Sequence, residues 1–366
     1  MNVSGTAQPK GKSLQRIPTL NAEHIKFEAQ SNADRELPWQ CFQDGTILDR
    51  LASEHWDAFT ALFNGKRNFV PSREITMGSA CTGSASDSLA AYFFTKAAQQ
   101  RVSDQRFGIK NVFSCELNDQ KRKWIQGVHR EIAGLQGSTS SEPCVFKNIL
   151  DLSAATARCV VHNGMCNVPE CCIFVCCTSC KDISRLNNSS GVGGLVLQQT
   201  SSPGGSAQTF RGMLAYIEWA RPAIILFENV EAIDDGGEGP RKDTNLDIVL
   251  SEFASRGYEC QQMTGDTSRY GVPQRRMRCY IIAVLVVASS RINFLERSIE
   301  DTFKTLRSLI KVGQRKPPCA SQVLYSGADA RVVKHDVVID SQIVGNGSQA
   351  DCLVRNVAMD DSIGGS

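Results

Sequence analysis

The sequence lacks any hydrophobic segment long enough to cross a membrane. Its longest strongly apolar run, residues 280–288, has nine residues, about half of the roughly 20 that a transmembrane helix needs. Residues 1–11 also lack the apolar stretch of a signal peptide. These two absences predict an intracellular protein that is not inserted in a membrane.

The chain also lacks a strong charge of either sign. It carries 40 Lys and Arg against 38 Asp and Glu, a formal net charge of +2, so the overall charge does not indicate a nucleic-acid partner. Residues 271–316 nevertheless hold ten Lys and Arg against three Asp and Glu. A nucleic-acid-binding surface and a solvated helix face would both account for this local excess.

Cysteine, in contrast, is abundant. Seven of the 15 cysteines fall between Cys159 and Cys180. Without a secretory signal, such a content favours reduced thiols, metal ligands or a catalytic thiol over a disulfide scaffold. Cys177 and Cys180 form a CxxC motif, which is typical of a redox pair or of half a zinc site. Further zinc ligands could come from His162, Cys166, Cys171 and Cys172.

Two observations speak against zinc at this CxxC motif. A second CxxC pair at zinc-ribbon spacing is missing, and residues 171–177 form an apolar run that is typical of a central strand. Buried free cysteines behave as small hydrophobic residues. We therefore predict no metal site and expect most of these cysteines to pack in the core.

From about residue 74, short apolar strands alternate with helical stretches, which predicts βαβ units and a mostly parallel sheet covered on both faces. The predicted strands are Glu74–Ala80 and residues 111–116, 144–149, 171–177, 223–228, 258–263 and 278–287. The predicted helices between them are residues 86–99, Asp119–Leu135 and residues 210–220 and 244–255, and another helix precedes the sheet at residues 47–63.

Reactive side chains follow several of these strands. In such sheets ligands bind outside the carboxyl ends of the strands. Glu116 ends the second strand, where an acidic residue commonly binds a ribose diol. Cys180 lies just beyond the fourth strand and Glu228 ends the fifth. We therefore expect this thiol and the Glu228 carboxylate to face one cleft.

The order of these motifs resembles the DNA (cytosine-5)-methyltransferase family. The resemblance covers about residues 74–287, somewhat under two thirds of the chain. Among the motifs that carry the resemblance, FENV and QRRMR are the most specific. The complete set is GSACTG, CELN, NILDL, TSCKDIS, TFRGML, FENV and QRRMR.

The resemblance implies an α/β class I methyltransferase sheet of the Rossmann-like type, which binds S-adenosylmethionine beside a cytosine flipped out of its helix. By this resemblance, Cys180 is the nucleophile and Glu228 is the acid that contacts the ring at N3, while Arg276 and Arg278 lie near the base and the catalytic turn. The family proline and glutamine beside the nucleophile are replaced here by Ser179 and Lys181.

For the cofactor, the resemblance assigns Gly83 to the glycine turn and Glu116 to the ribose. Asn148 and Ile149 fall on the adenine-contacting pair, and Leu214 falls at the rim of the cofactor site. Asn148 replaces the family aspartate, so it would accept a hydrogen bond without charge assistance.

The predicted organisation has three parts. Residues 1–73 form an N-terminal extension that is flexible to about residue 37, residues 74–290 form the methyltransferase-like domain, and residues 291–366 contain a helix and a poorly ordered or reduced segment. Family members normally place a target-recognition region and a returning segment in the last part, and neither is clear here. Residues 341–351 faintly resemble the final family motif, with Asn346 near the cofactor, or form an ordinary polar turn.

The resulting prediction is methyl transfer from S-adenosylmethionine to C5 of cytosine in nucleic acid, through a covalent cysteine adduct. DNA is the favoured substrate, and the resemblance implies a nuclear location. Two alternatives stay open, namely an RNA-directed (tRNA) methyltransferase and a degenerate relative that binds cofactor or nucleic acid without turnover. The sequence gives no oligomeric state.

Overall fold

The computed structural model describes residues 47–62, 74–101, 107–137, 142–186, 195–198, 204–236, 243–271, 274–286 and 299–316. The predicted flexible N-terminus, residues 187–194 and 199–203 beyond Cys180, and the predicted poorly ordered C-terminal segment with Asn346 lie outside these residues. Among the described helices, none combines the length and the apolar character needed to cross a membrane.

A mixed sheet organises the described part of the chain. Its strands are β1 (Glu74–Ala80), β2 (Gly108–Cys115), β3 (Cys144–Phe146), β4 (Thr156–Cys159), β5 (Gly164–Asn167), β6 (Ile173–Cys176), β7 (Ile224–Val230), β8 (Tyr258–Asp266) and β9 (Met277–Leu285). They lie in the order β5-β4-β3-β2-β1-β6-β7-β9-β8. Neighbours from β3 to β7 run parallel, whereas β9 pairs antiparallel with both β7 and β8.

The helices are α1 (Ile47–Leu62), α2 (Ser86–Arg101), α3 (Asp119–Leu135), α4 (Ser206–Ala220), α5 (Asn245–Ser255) and α6 (Ile299–Val312). They cover both faces of the sheet. Ile173 of β6 packs against the cluster that α1 and α2 build around Trp56, while the adjacent Phe174 joins the main core with Tyr216 of α4. Alternate side chains of a strand point to opposite faces. The expected Rossmann-like α/β sheet with helices on both faces is therefore confirmed.

The predicted strands are all present, with shifted ends. β3 stops at Phe146 instead of continuing to Ile149, because Asn148 caps a short 3₁₀ helix (Ile149–Ser153) by accepting a hydrogen bond from the Leu150 amide at 3.1 Å. The prediction omitted the antiparallel hairpin of β4 and β5 at the sheet edge. Its strands have only four residues each, which is too short for an alternation of polar and apolar residues to stand out in the sequence.

The centre of the sheet is packed around the ring of Phe113 on β2. This ring lies 5.4 Å from Tyr216, 6.0 Å from Phe146 and 6.3 Å from Phe174, measured between ring centroids. It also covers Gly78 of β1, where an added Cβ atom would stand 2.1 Å from Phe113 Cε1. A glycine at this position allows β1 and the aromatic core to approach each other.

We expect Gly78→Ala to lower the free energy of unfolding by about 1–3 kcal/mol, because an overpacked core must move a buried ring or the backbone. Urea denaturation followed by circular dichroism measures the change. Gly127→Ala in α3 is the matched control, because its Cβ atom would meet nothing within 4 Å. It should leave stability unchanged or raise it by up to about 1 kcal/mol. Equal effects of the two substitutions would contradict the proposed packing constraint.

Candidate active site

The turn after β1 brings backbone amides to the carboxyl edge of the sheet. Cys81, Gly83 and Ala85 all adopt left-handed backbone conformations, with φ angles of 55°, 62° and 57°. Such conformations are costly for residues other than glycine and often occur where a chain surrounds a ligand. The turn leaves the Gly83 amide directed at the end of β2.

Glu116, which follows β2, receives that amide. Its Oε2 atom accepts a hydrogen bond from the Gly83 amide at 3.1 Å, and its Oε1 atom accepts one from the Asn118 amide at 2.9 Å. The residue is only 8% exposed. A carboxylate offers about four acceptor sites, so the two amides fix its orientation and leave acceptor capacity for hydroxyl groups of a ligand. The structure thus brings together Gly83 and Glu116, the two residues assigned by resemblance to the glycine turn and the ribose.

Asn148 and Ile149 lie beyond β3, in the start of the 3₁₀ helix. Ile149 is buried against α4, where an added Cβ atom on Gly212 would stand 2.8 Å from Ile149 Cγ2. Leu214, two residues further along α4, belongs to the same hydrophobic core. Close packing on Gly212 therefore places the predicted adenine-contacting pair beside the helix that carries Leu214.

The Cys180 turn, residues 177–183, is bound to the N-terminus of α4. The Ser179 amide donates to Thr209 Oγ1 at 3.0 Å, and the Asp182 amide donates to Ser206 Oγ at 3.1 Å. In return, the Ser206 amide donates to Asp182 Oδ2 at 2.7 Å. These bonds constrain a turn that lacks the family proline.

Within this turn, Cys180 is half-buried and its carbonyl oxygen accepts hydrogen bonds from the amides of Ile183 and Ser184 at 3.1 and 2.8 Å. Cys177 differs, because burial and the nearby Glu228 carboxylate raise the pKa of its thiol well above the usual range. A protonated thiol is a poor nucleophile. Of the two cysteines of the CxxC motif, Cys177 is therefore unsuited to nucleophilic attack, and Cys180 is the candidate.

Glu228 and Arg278 form an ion pair across β7 and β9. Arg278 Nε lies 3.0 Å from Glu228 Oε1, and the two side chains are 18% and 25% exposed. The antiparallel register sets Glu228 opposite Tyr280, two residues along β9 from Arg278. This ion pair orients the carboxyl group at the end of β7 that lies nearest the Cys180 turn.

A residue that sequence reasoning overlooked joins Glu228 to this turn. Asn229 is fully buried, and its Nδ2 atom donates to Thr178 Oγ1 and to the Thr178 carbonyl oxygen at 3.0 and 3.2 Å. Asn229 stands in the FENV motif, so its position beside Glu228 was the available signal. It fixes the distance between the end of β7 and the start of the Cys180 turn.

Arg276 is placed differently from Arg278. Its side chain is exposed, and its backbone amide donates to Asp266 Oδ1 at 3.1 Å. The hydrogen bond from the Ser268 amide and the one from the Arg276 amide lower the pKa of the Asp266 carboxyl group. The structure thus fixes the backbone of Arg276 and leaves its side chain at the surface, whereas Arg278 contacts Glu228.

Asp87, in the first turn of α2, is a second residue that the sequence did not single out. Burial raises the pKa of its carboxyl group, and its Oδ2 atom is buried without a hydrogen-bond partner among the described residues. Its charge also contributes to the raised pKa of Cys177. A carboxyl group with one unsatisfied oxygen therefore lies near the same edge of the sheet as the Cys180 turn.

Comparison with known proteins gives matches to one family. Residues 164–337 match the C-5 cytosine-specific DNA methylase family. This range contains Cys180, Leu214, Glu228 and both arginines, while the residues of the glycine turn and of β3 precede it.

Two relatives agree with this match. The chain is 28% identical over 238 residues to the DNA (cytosine-5-)-methyltransferase DMT5 of Cryptococcus neoformans var. grubii. The aligned residues make up 64% of this chain and 8% of that protein. It is 26% identical over 137 residues to the DNA (cytosine-5)-methyltransferase PliMCI of Paracentrotus lividus. Here the aligned residues make up 37% of this chain and 8% of that protein. The matched regions thus span less than a tenth of either relative.

Among solved structures, the Dnmt2 methyltransferase of S. pombe matches with a TM-score of 0.33 and 15% identity, covering 63% of this chain and 54% of that one. A DNMT2 mutant of Spodoptera frugiperda matches with a TM-score of 0.35 and 12% identity, covering 61% and 54%. The family match, together with the two curated relatives, shows that this chain is similar to the C-5 cytosine-specific DNA methylases.

Proposed function

We propose that this chain transfers a methyl group from S-adenosylmethionine to C5 of cytosine in nucleic acid, with DNA as the favoured substrate. The observation that carries the proposal is the connected group at the ends of β6 and β7. Asn229 ties the Cys180 turn to the strand that carries Glu228, and Arg278 orients the Glu228 carboxyl group. A thiol and an acid on adjacent strands are what covalent catalysis on a cytosine ring requires.

The carboxyl edge also suits the proposed cofactor. Glu116 keeps acceptor capacity for the two ribose hydroxyls, and Asp87 Oδ2 is a buried oxygen without a hydrogen-bond partner among the described residues. Asn148 and Ile149 would hold the adenine, with Leu214 at the rim. When bound, S-adenosylmethionine would supply an electrophilic methyl group.

The protein residues act on the base. The Cys180 thiolate adds to C6 of cytosine and forms a carbon–sulfur bond, while Glu228 donates a proton at N3, so that C5 becomes an enamine carbon able to accept a methyl group. After C5 has accepted the methyl group, water takes the C5 proton, the carbon–sulfur bond breaks, the thiolate leaves and the N3 proton returns to Glu228. Arg278 holds the Glu228 carboxyl group in place during both steps.

The nucleic acid must present its cytosine outside the base stack, because C6 is inaccessible to a thiol within a duplex. The exposed Arg276 and the basic stretch of residues 271–316 provide positive charge for phosphate contacts. Both curated relatives are named as DNA methyltransferases, which favours DNA over RNA and, with it, a nuclear location.

Cys180→Ser should abolish covalent trapping on oligonucleotides that contain 5-fluorocytosine, because the serine hydroxyl is a far weaker nucleophile. Fluorine replaces the C5 proton and cannot be removed by a base, so the thiolate cannot be eliminated. The covalent thiol adduct therefore persists on a denaturing gel. The wild-type protein should be trapped on DNA in the presence of S-adenosylmethionine. Cys260→Ser, on the edge strand β8, is the matched control and should be trapped like wild type.

The same gel separates the alternatives. Trapping on RNA but not on DNA would identify an RNA methyltransferase. Binding of S-adenosylhomocysteine without trapping on either nucleic acid would identify a degenerate, non-catalytic relative. Methyl transfer that persists in Cys180→Ser would refute the proposed nucleophile.

Glu116→Ala should weaken S-adenosylhomocysteine binding by about 1.5–3 kcal/mol, roughly 10- to 150-fold, because hydrogen bonds between a carboxylate and the ribose hydroxyls are lost. Isothermal titration calorimetry measures this change. Glu259→Ala removes an exposed carboxylate near the start of β8 and should leave affinity unchanged. An unaltered affinity of Glu116→Ala would remove this residue from the cofactor site.

Asn229→Ala should lower the rate of methyl transfer about 10- to 100-fold, because two hydrogen bonds that position the Cys180 turn are lost. Cofactor affinity should stay within twofold of wild type, since Asn229 contacts Thr178 rather than the Glu116 side of the edge. Single-turnover kinetics and calorimetry separate the two quantities. A parallel loss of cofactor affinity would indicate general unfolding instead of a positioning role.

A further inference from the structure

Three cysteines and a histidine meet at the outer edge of the sheet, away from the candidate active site. Cys144 begins β3, Cys159 ends β4, His162 lies in the hairpin turn and Cys166 lies in β5. The Nδ1 atom of His162 is 3.5 Å from Cys144 Sγ and 3.4 Å from the Sγ atoms of Cys159 and Cys166. All four ligand atoms lie within 4.8 Å of one another.

Hydrogen bonding does not account for this geometry. A ring nitrogen either donates one hydrogen or accepts through one in-plane lone pair, so Nδ1 cannot bond three sulfur atoms at once. A tetrahedral zinc ion with Zn–S distances of about 2.3 Å and a Zn–N distance of about 2.0–2.1 Å would separate nitrogen and sulfur by roughly 3.5–3.6 Å. The observed separations agree with a common metal centre between the four side chains.

The backbone around the cluster holds the four residues in this position. The antiparallel register pairs Cys159 with Gly164 and Ala157 with Cys166, and Asn163 in the turn has a left-handed φ angle of 55°. The Val160 amide donates to the Val145 carbonyl oxygen at 2.8 Å, which attaches the hairpin to β3 beside Cys144. The spacing of the last three ligands is Cys-x₂-His-x₃-Cys, short enough for one hairpin to supply them.

We propose that Cys144, Cys159, His162 and Cys166 bind one structural zinc ion. Thiolate and imidazole ligands favour Zn²⁺ over Mg²⁺ or Ca²⁺. Four protein ligands fill a tetrahedral site completely, so the ion has a structural role and no open position for a substrate. The proposal revises the prediction of no metal site, and it does not depend on the proposed methyl transfer.

The position of the site indicates what the ion stabilises. Cys144 and Cys159 flank the segment that contains Asn148, Ile149 and the 3₁₀ helix, so the metal closes this segment into a loop. Asn148 follows Cys144 by four residues and lies beyond the last residue of β3. The ion would act by fixing the ends of the loop that carries the predicted adenine-binding pair.

Elemental analysis of the full chain, purified without chelator, tests the proposal. We expect one zinc per chain, and replacement by Co²⁺ should give the visible absorption of a tetrahedral site with thiolate ligands. Cys166→Ser and His162→Ala should each lose most of the zinc. Cys172→Ser, a half-buried cysteine outside the cluster, is the matched control and should keep one zinc per chain.

Because ligand variants can fail to fold, Cys166→His provides a second measurement. Histidine can replace cysteine as a zinc ligand, so this variant should keep the metal and shift the Co²⁺ spectrum towards fewer thiolate ligands. A wild-type chain without zinc that also takes up no added Zn²⁺ or Co²⁺ would overturn the proposal. Full zinc content in Cys144→Ser/Cys166→Ser would do so as well, because the metal would then be bound elsewhere.

Discussion

The packing of Phe113 over Gly78 is the constraint on which the centre of the sheet depends. β1 pairs with β2 on one side and with β6 on the other, and the Phe113 ring fills the space above β1 that a larger residue would occupy. The ends of these three strands carry the glycine turn, Glu116 and the Cys180 turn. Any displacement of β1 relative to β2 would therefore change the distance between the proposed cofactor site and the proposed nucleophile.

The candidate active site is held by hydrogen bonds between side chains and backbone amides. Glu116 receives two amides from the ends of neighbouring strands, and the Cys180 turn is bound to α4 through Ser206, Thr209 and Asp182. These contacts explain how a turn with serine in place of the family proline keeps a defined conformation. Asn229 adds a buried link to β7, which makes the proposed nucleophile and the proposed acid parts of one connected group.

The proposed zinc site lies beside β3 at the sheet edge, where Cys159 pairs with Phe146. Its cysteines and histidine join the edge hairpin to Cys144, the first residue of the strand, whereas the proposed cofactor-binding pair follows the last residue. We thus assign stabilisation of the sheet edge to the cysteines of the proposed zinc site, and chemistry at the carboxyl ends of the strands to Cys180. Cys177 belongs to neither group, since it remains protonated beside Glu228.

Apart from the hairpin of β4 and β5, the sequence by itself determined the order of strands and helices, because apolar periodicity and small-residue turns are local properties. It also identified the residues at the strand ends, since ligands of parallel sheets bind there. The positions of Cys180, Glu228 and Arg278 in the proposed mechanism rest on the motifs that the chain shares with its family.

Only the tertiary structure decided which side chains of distant segments meet. The sequence grouped His162 and Cys166 with Cys171 and Cys172, but the fold brings Cys144 and Cys159 to them instead, because the missed hairpin folds back antiparallel beside β3. It also placed Asn229 against Thr178 and left the Oδ2 atom of Asp87 buried without a hydrogen-bond partner among the described residues. Contacts of this kind depend on strand pairing and sheet order, which join residues far apart in the chain and leave no periodic signal in the sequence.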